Sequence, residues 1–174
     1  MNIMNVIPKI LPLEMQALQV ALAPQGKQLA EMQQDAKAVT SRVHVMLVED
    51  SALIRDALID ALAQSPVANF EGFATTAAEA IAALRAETYD IVVIDIELAQ
   101  GTGFDVLLNL AQSDFPYPPP VSIVLTNHAY PVYKYQAELL GVKHFFDKSM
   151  HFNEAIETIE DEATRLLCSK TRVE

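Results

Sequence analysis

The short apolar run Ile91–Ile94 constrains the fold of this chain more than any other stretch. Its four β-branched residues have no polar break and are followed at once by Asp95, with a glycine-containing turn at 101–103 beyond it. A run this short predicts a strand buried on both faces, which is typical of a parallel sheet covered by helices. Because such sheets place ligands outside the carboxyl ends of their strands, Asp95 is predicted to lie at a functional edge.

Strand and helix signals alternate along residues 43–170, which we predict to form one domain. Strands are predicted over 43–48, 67–74, 91–94, 121–125 and 142–146, and helices over 51–64, 76–85, 104–110, 130–140 and 152–166. Apolar residues from Leu53 to Leu62 recur at helical spacing, and Thr76 with Glu79 forms a capping box. The alternation predicts an α/β fold, a doubly wound five-stranded parallel sheet of flavodoxin-like order 2-1-3-4-5 with helices on both faces.

Residues 1–42 differ from this pattern and are predicted to be an N-terminal extension. They contain Pro8, Pro12 and Pro24 and are rich in Gln and Met, with partly helical patterns over 13–23 and 28–39. Two interpretations stay open. The extension is either a dimerisation or docking helix, or it is a loosely ordered segment or the result of an upstream start codon assigned in error, with Met32 or Met46 as rival starts.

Composition excludes several classes of function. The net charge of −11 comes without any cluster of Lys and Arg, which argues against nucleic-acid binding. No apolar run approaches the roughly 20 residues that cross a bilayer, and no secretory signal precedes the domain, so no membrane partner is expected. Cys168 is the single cysteine, which rules out an intrachain disulfide and fits a reducing cytoplasm.

Polar residues follow four of the predicted strands, and the topology brings them to one edge. They are Glu49, Asp50, Asp95, Thr126 and Lys148. In the order 2-1-3-4-5 the first and third strands are neighbours, so three carboxylates meet and repel each other unless a cation intervenes. Oxygen ligands of this kind suit Mg²⁺. A carboxylate nucleophile, a metal, an ammonium and a hydroxyl together predict phosphoryl transfer onto Asp95.

These motifs resemble a known family. LVED at 47–50, VVIDIEL at 92–98 with Gly103 beyond it, VLT at 124–126 and FFDKS at 145–149 are similar to the motifs of response-regulator receiver domains of bacterial two-component systems. The resemblance implies that Asp95 is phosphorylated, and that Thr126 and Lys148 contact the phosphoryl group. It further implies that Glu49, Asp50, Asp95 and the backbone carbonyl of Glu97 hold Mg²⁺, and that Phe145, with Thr126, occupies the switch positions.

The function implied is that of a single-domain cytoplasmic response regulator, which is not an enzyme. A sensor histidine kinase or a histidine phosphotransfer protein would supply the phosphoryl group, and output would be binding to a downstream protein. Only a handful of residues follow the last predicted helix, so no carboxyl-terminal DNA-binding or enzymatic output domain is expected, and a homodimer is compatible with the sequence. His128 either tunes water attack on the phosphoryl group or is an ordinary loop residue.

Departures from the family pattern keep two alternatives open. Ala99 and Ser149 stand where the family often has proline, and Asn127 stands where a small residue is usual, so access and switching are in question. The first alternative is a pseudo-receiver that acts as a phosphorylation-independent interaction module. The second is an aspartyl-phosphate phosphatase or hydrolase, which characteristically has a second aspartate where this chain has Glu97.

Overall fold

The computed structural model describes residues 42–171, and the predictions made for residues 1–41 lie outside them. The strands are β1 (Val43–Val48), β2 (Ala68–Ala74), β3 (Ile91–Ile94), β4 (Val121–Thr126) and β5 (His144–Asp147). The helices are α1 (Ala52–Leu62), α2 (Ala77–Ala86), α3 (Gly103–Leu110), α4 (Pro131–Leu139) and α5 (Phe152–Thr171).

The five strands form one parallel sheet in the order β2-β1-β3-β4-β5, which confirms the predicted topology. All four residues of β3 are buried, as expected for a central strand covered on both faces. The register pairs Val48 with Ile94, so β1 and β3 end level with one another. Ile94 pairs with Val124, and β4 continues two residues further to Thr126 at the same edge. The residues that follow them therefore share one edge of the sheet.

Successive side chains of the strands enter two separate apolar layers, because a strand alternates its side chains between the faces of the sheet. Met46, Val92 and Ile94 pack on the side that α2, α3 and α4 cover. Leu47 and Val93 pack on the side that α1 and α5 cover. Helices thus lie on both faces, and the functional edge lies between the two layers.

Local hydrogen bonds set the start of the helices near that edge. The predicted capping box of α2 is present, with the Thr76 hydroxyl accepting from the Glu79 amide at 3.2 Å. A second capping box, formed by Thr102 and Asp105, opens α3. Gly103 is required at this point, since a Cβ there would collide with the carbonyl oxygen of Asp95. The first turn of α3 therefore packs directly on the backbone of β3's end.

Two local predictions were wrong. β5 begins at His144 rather than at residue 142, because Gly141 (φ 86°) and Val142 close the end of α4. The Val142 amide donates to the carbonyl of Ala137 at 3.1 Å and is not available to a strand at that point. Leu53, predicted on the apolar stripe of α1, is 79% exposed. It lies on the same side of the helix as Ala57 and Ala61, which are also exposed, whereas the buried side carries Leu58 and Leu62.

Two further features of residues 42–171 bear on the predictions. Every peptide bond is trans, including the one before Ser149. None of the helices in this range combines the length and the apolar composition that a membrane-spanning segment needs.

Candidate functional site

Three carboxylates meet at the carboxyl edge of the sheet, where β1 and β3 run side by side. One oxygen from each of Glu49, Asp50 and Asp95 lies within 4.8 Å of the other two. Glu49 is 1% exposed and Asp95 7%, whereas Asp50 is open to solvent. The Asp95 amide donates to the carbonyl of Val48 at 2.9 Å, which fixes the two strand ends against each other. The predicted acidic cluster is present.

Lys148 enters this cluster from β5 and contacts both of its buried carboxylates. Its Nζ lies 2.6 Å from Oε2 of Glu49 and 2.5 Å from Oδ2 of Asp95. The lysine backbone is held in place by its own amide, which donates to the carbonyl of Thr126 at 3.0 Å. Because all three side chains are almost fully buried, water screens these ion pairs weakly.

The charge balance of the cluster favours a further cation. Burial raises the pKa of the Glu49 carboxyl above its usual value, and the negative charge of Asp95 raises it further, while Lys148 acts in the opposite direction. One ammonium among three carboxylates leaves the site short of positive charge. The donors are all oxygens, and the exposed Asp50 leaves one side open to water, a combination that fits Mg²⁺.

Backbone groups orient the two buried carboxylates. The Ser51 amide donates to Oε1 of Glu49 at 3.1 Å, and the Glu97 amide donates to Oδ1 of Asp95 at 3.2 Å. Oδ2 of Asp95 is then the oxygen that faces Lys148. The Asp95 carboxylate is thus held at one oxygen by a backbone amide and at the other by the ammonium of Lys148.

Thr126 ends β4 at the same edge and is fully buried. Its Oγ1 accepts from the His128 amide at 3.2 Å, so the hydroxyl hydrogen remains free to donate to another group. Phe145 is partly buried against the apolar layer beneath α2, α3 and α4. Asn127 and Ser149, the two departures beside the site, are exposed. The switch roles of Thr126 and Phe145 stay predictions.

One contact at the site was missed by the sequence reasoning. Nδ1 of His128 lies 3.1 Å from Oε2 of Glu97, outside hydrogen-bond geometry, and the nitrogen itself is buried. The His128 ring also packs at 5.7 Å from the ring of Tyr130. Glu97 stands two positions after Asp95, and His128 stands two positions after Thr126. This shared spacing after two strand ends is the sequence signal that could have predicted the contact. The pair joins the loops that follow β3 and β4.

Residues 45–160 match the family model of the response regulator receiver domain. The DNA-binding transcriptional activator DevR/DosR of Mycobacterium tuberculosis is 28% identical over 119 residues, which are 68% of this chain and 54% of that protein. A protein-glutamate methylesterase/protein-glutamine glutaminase of Cereibacter sphaeroides is 34% identical over 100 residues, 58% of this chain and 27% of the relative. The chain therefore spans about half the length of the first relative and about a quarter of the second.

Solved structures give the same result. The receiver domain of HemR from Leptospira biflexa superposes with a TM-score of 0.59 at 27% identity, covering 70% of this chain and 94% of that one. The response regulator domain of Thermotoga maritima CheB superposes with a TM-score of 0.61 at 21% identity, covering 71% and 95%, and this likeness concerns the fold alone. With the family match covering most of the described residues, the chain belongs to the response regulator receiver domain family.

Proposed function

We propose that this protein is a phosphoacceptor whose Asp95 takes a phosphoryl group from a phosphohistidine of a sensor histidine kinase or a histidine phosphotransfer protein. The carboxylate oxygen of Asp95 attacks phosphorus, the P–N bond breaks, and its electron pair returns to the donor's imidazole. The observation that carries the proposal is the buried Asp95 carboxylate, which lies 2.5 Å from the Lys148 ammonium and beside two further acids.

The remaining site residues have roles that follow from their positions. Lys148 would transfer its contact from Asp95 to a phosphoryl oxygen once the aspartate becomes an acyl phosphate. Thr126 would donate its free hydroxyl to a second oxygen. Glu49, Asp50, Asp95 and the Glu97 carbonyl would hold Mg²⁺, which when bound supplies positive charge for the phosphoryl oxygens. The Glu97 amide, which donates to Oδ1 of Asp95 at 3.2 Å, would hold the carboxylate in one orientation during the attack.

Output would be protein–protein interaction rather than catalysis by this domain. A phosphoryl group on Asp95 draws in Thr126 and Lys148, which lie at the ends of β4 and β5. These strands lead into α4 and α5, so a shift at the site would change the surface formed by those helices. Phe145 on β5, which packs on the apolar layer beneath α4, would repack in response.

Labelling with acetyl phosphate tests the proposal. The full chain, incubated with acetyl phosphate and Mg²⁺, should gain the mass of one phosphoryl group, and Asp95→Asn should gain none. Asp161→Asn, which changes an exposed aspartate on α5, is the matched control and should label like the wild type. Removal of Mg²⁺ with a chelator should suppress the labelling.

The same experiment separates the alternatives. A wild type that never labels, while remaining folded, would favour the phosphorylation-independent module that the departures at Asn127 and Ser149 suggest. Continuous release of inorganic phosphate in large excess over protein would favour the hydrolase. A single stable or slowly decaying phosphoryl group on the wild type supports the phosphoacceptor.

A further inference from the structure

A cavity of about 210 Å³ opens at the amino-terminal edge of the sheet, the edge opposite the phosphoacceptor site. It exists because β5 starts later than β4. His144, the first residue of β5, pairs with Ile123, so Val121 and Ser122 of β4 have no β5 residue beside them. Gly141 borders the gap, and a Cβ added there would meet no atom within 4 Å. The late start of β5 therefore leaves room for a small ligand.

A buried carboxylate with one free oxygen lines this cavity. Glu162 on α5 is 5% exposed, and its Oε1 accepts from Arg165 and contacts Nε2 of His144, each at 2.8 Å. Its Oε2 has no hydrogen-bond partner within residues 42–171, although the atom is not sealed from solvent. The Arg165 side chain is 72% exposed, so water screens its charge. A buried acceptor in this state favours a ligand that donates to it.

Lys143 brings the opposite charge to the same cavity. Its side chain is exposed, and it forms no ion pair with any carboxylate of the described residues, Glu162 included. The lysine precedes β5 and the glutamate lies on α5, so the two charges come from different elements and do not contact each other. Two opposite charges that line one cavity without pairing favour a ligand that carries both charges itself.

We propose that this cavity binds a free α-amino acid with an apolar side chain. The ammonium of the ligand donates to Oε2 of Glu162, and its carboxylate accepts from Lys143. Its side chain packs against the apolar wall that Pro119, Pro120 and Val121 form. The volume suits a molecule of this size, since pockets for drug-sized ligands measure roughly 300–1,000 Å³.

The charges of the cavity argue against simpler ligands. A divalent cation takes several oxygen ligands, and Glu162 is the one carboxylate among the described residues that line the cavity. An inorganic anion would meet Lys143 but would also bring a like charge to the free oxygen of Glu162. The site is also separate from the phosphoacceptor, because four residues of β4, about 13 Å at 3.3 Å per residue, lie between Ser122 and Thr126. The inference therefore does not depend on the phosphoacceptor role of Asp95.

Calorimetric titration of the full chain with free leucine, isoleucine, valine, methionine and proline, one at a time, tests this inference. At least one should bind saturably at one site, with a Kd of about 1 mM or below. If leucine binds, 3-methylbutylamine lacks its carboxylate and 4-methylpentanoate lacks its ammonium. Each analogue should bind about tenfold more weakly or worse, because it loses one charge-assisted hydrogen bond. No saturable binding up to about 10 mM, or equal binding of either analogue, would overturn the inference.

Variants then test the two charged groups. Lys143→Met and Glu162→Gln should each weaken the amino acid about tenfold or more. Lys134→Met on α4 and Glu157→Gln on α5 change exposed charges away from the cavity, and they should leave affinity within about twofold. If Glu162→Gln does not unfold cooperatively in urea, Lys143→Met and the analogue without an ammonium decide the question. Equal losses in the controls and in Lys143→Met would contradict the assignment of the site.

Nuclear magnetic resonance of the nitrogen-15-labelled full chain locates the ligand. Saturating amino acid should shift the amide signals of Ser122, Gly141 and Lys143 most, and shifts centred on Asp95 would sink the inference. The two proposals fail separately. Amino-acid binding by a chain that takes no label from acetyl phosphate supports the cavity and removes the phosphoacceptor role, whereas labelling without amino-acid binding removes the cavity's role alone.

Discussion

Replacing Lys148 by methionine is the sharpest perturbation of the buried cluster. Methionine keeps most of the side-chain volume but removes the ammonium that lies 2.6 Å from Glu49 and 2.5 Å from Asp95. The lysine and the two carboxylates are 4%, 2% and 8% exposed in their side chains, so water cannot take over the role of the lost charge. Two buried carboxylates would then face each other without compensation.

The expected loss follows from this burial. Removing one partner of a buried ion pair costs about 3–5 kcal/mol, whereas an exposed pair is worth about 1 kcal/mol or less. For a chain of this size that loss lowers the melting temperature by about 10–15 °C, at about 3 °C per kcal/mol. Mg²⁺ should restore part of the stability of Lys148→Met, because a bound cation replaces the missing positive charge.

Urea unfolding followed by far-ultraviolet circular dichroism measures the effect, since the chain has no tryptophan. Lys134→Met, which changes an exposed lysine on α4, is the matched control and should alter the free energy of unfolding by about 0.5 kcal/mol at most. A loss below about 1 kcal/mol for Lys148→Met at neutral pH without Mg²⁺ would refute the buried cluster, since exposed pairs give values of that size.

Three further changes have defined outcomes. Gly103→Ala should destabilise the fold by about 1–3 kcal/mol in urea unfolding and slow the labelling of Asp95, because the new Cβ collides with the carbonyl oxygen of that residue. Glu49→Gln should gain stability relative to the wild type as pH rises from about 4 to 7 without Mg²⁺. Burial raises the pKa of the Glu49 carboxyl in the folded wild type above its unfolded value of 4.5. The wild type therefore loses free energy of unfolding as pH rises through the folded-state pKa, whereas the glutamine variant has no such loss. A difference in the free energy of unfolding between Glu49→Gln and the wild type that stays constant across that range would contradict the burial of this charge. His128→Ala should change the decay rate of the phosphoryl group, followed by intact mass after removal of acetyl phosphate, because it removes the ring that lies 3.1 Å from Glu97 at the site; an unaltered rate would make the contact incidental.

The arrangement of the strands and the position of Asp95 could be predicted because both depend on short, strong signals. A four-residue β-branched run that ends on an acid leaves few alternatives to a central parallel strand. Once β1 and β3 are neighbours, Glu49 and Asp95 must meet, whatever the exact loop geometry. Backbone topology, rather than side-chain detail, accounts for most of the candidate site.

The features that could not be predicted depend on distances between loops. Predicting the contact of His128 with Glu97 requires knowing how far β3 and β4 extend relative to each other, and the spacing of apolar residues in the sequence does not give this. The start of β5 depends on whether the Val142 amide pairs within the sheet or bonds to the end of α4. Because Gly141 adopts a positive φ, the chain turns back and the Val142 amide donates to the carbonyl of Ala137, so β5 begins later. The exposure of Leu53 was missed because the apolar residues of α1 cover more of its circumference than the side that packs on the sheet, and Leu53 lies with Ala57 and Ala61 on the exposed part.

Chemical trapping of the phosphoryl group identifies the residue that carries it. An acyl phosphate on an aspartate is reduced by borohydride to homoserine, and peptide mass spectrometry of the labelled full chain then identifies the residue. We expect homoserine at position 95 alone, and only when the chain has been treated with acetyl phosphate in the presence of Mg²⁺. Homoserine at Asp50 or at any other position, or an acid-stable phosphate on a serine or threonine, would contradict it.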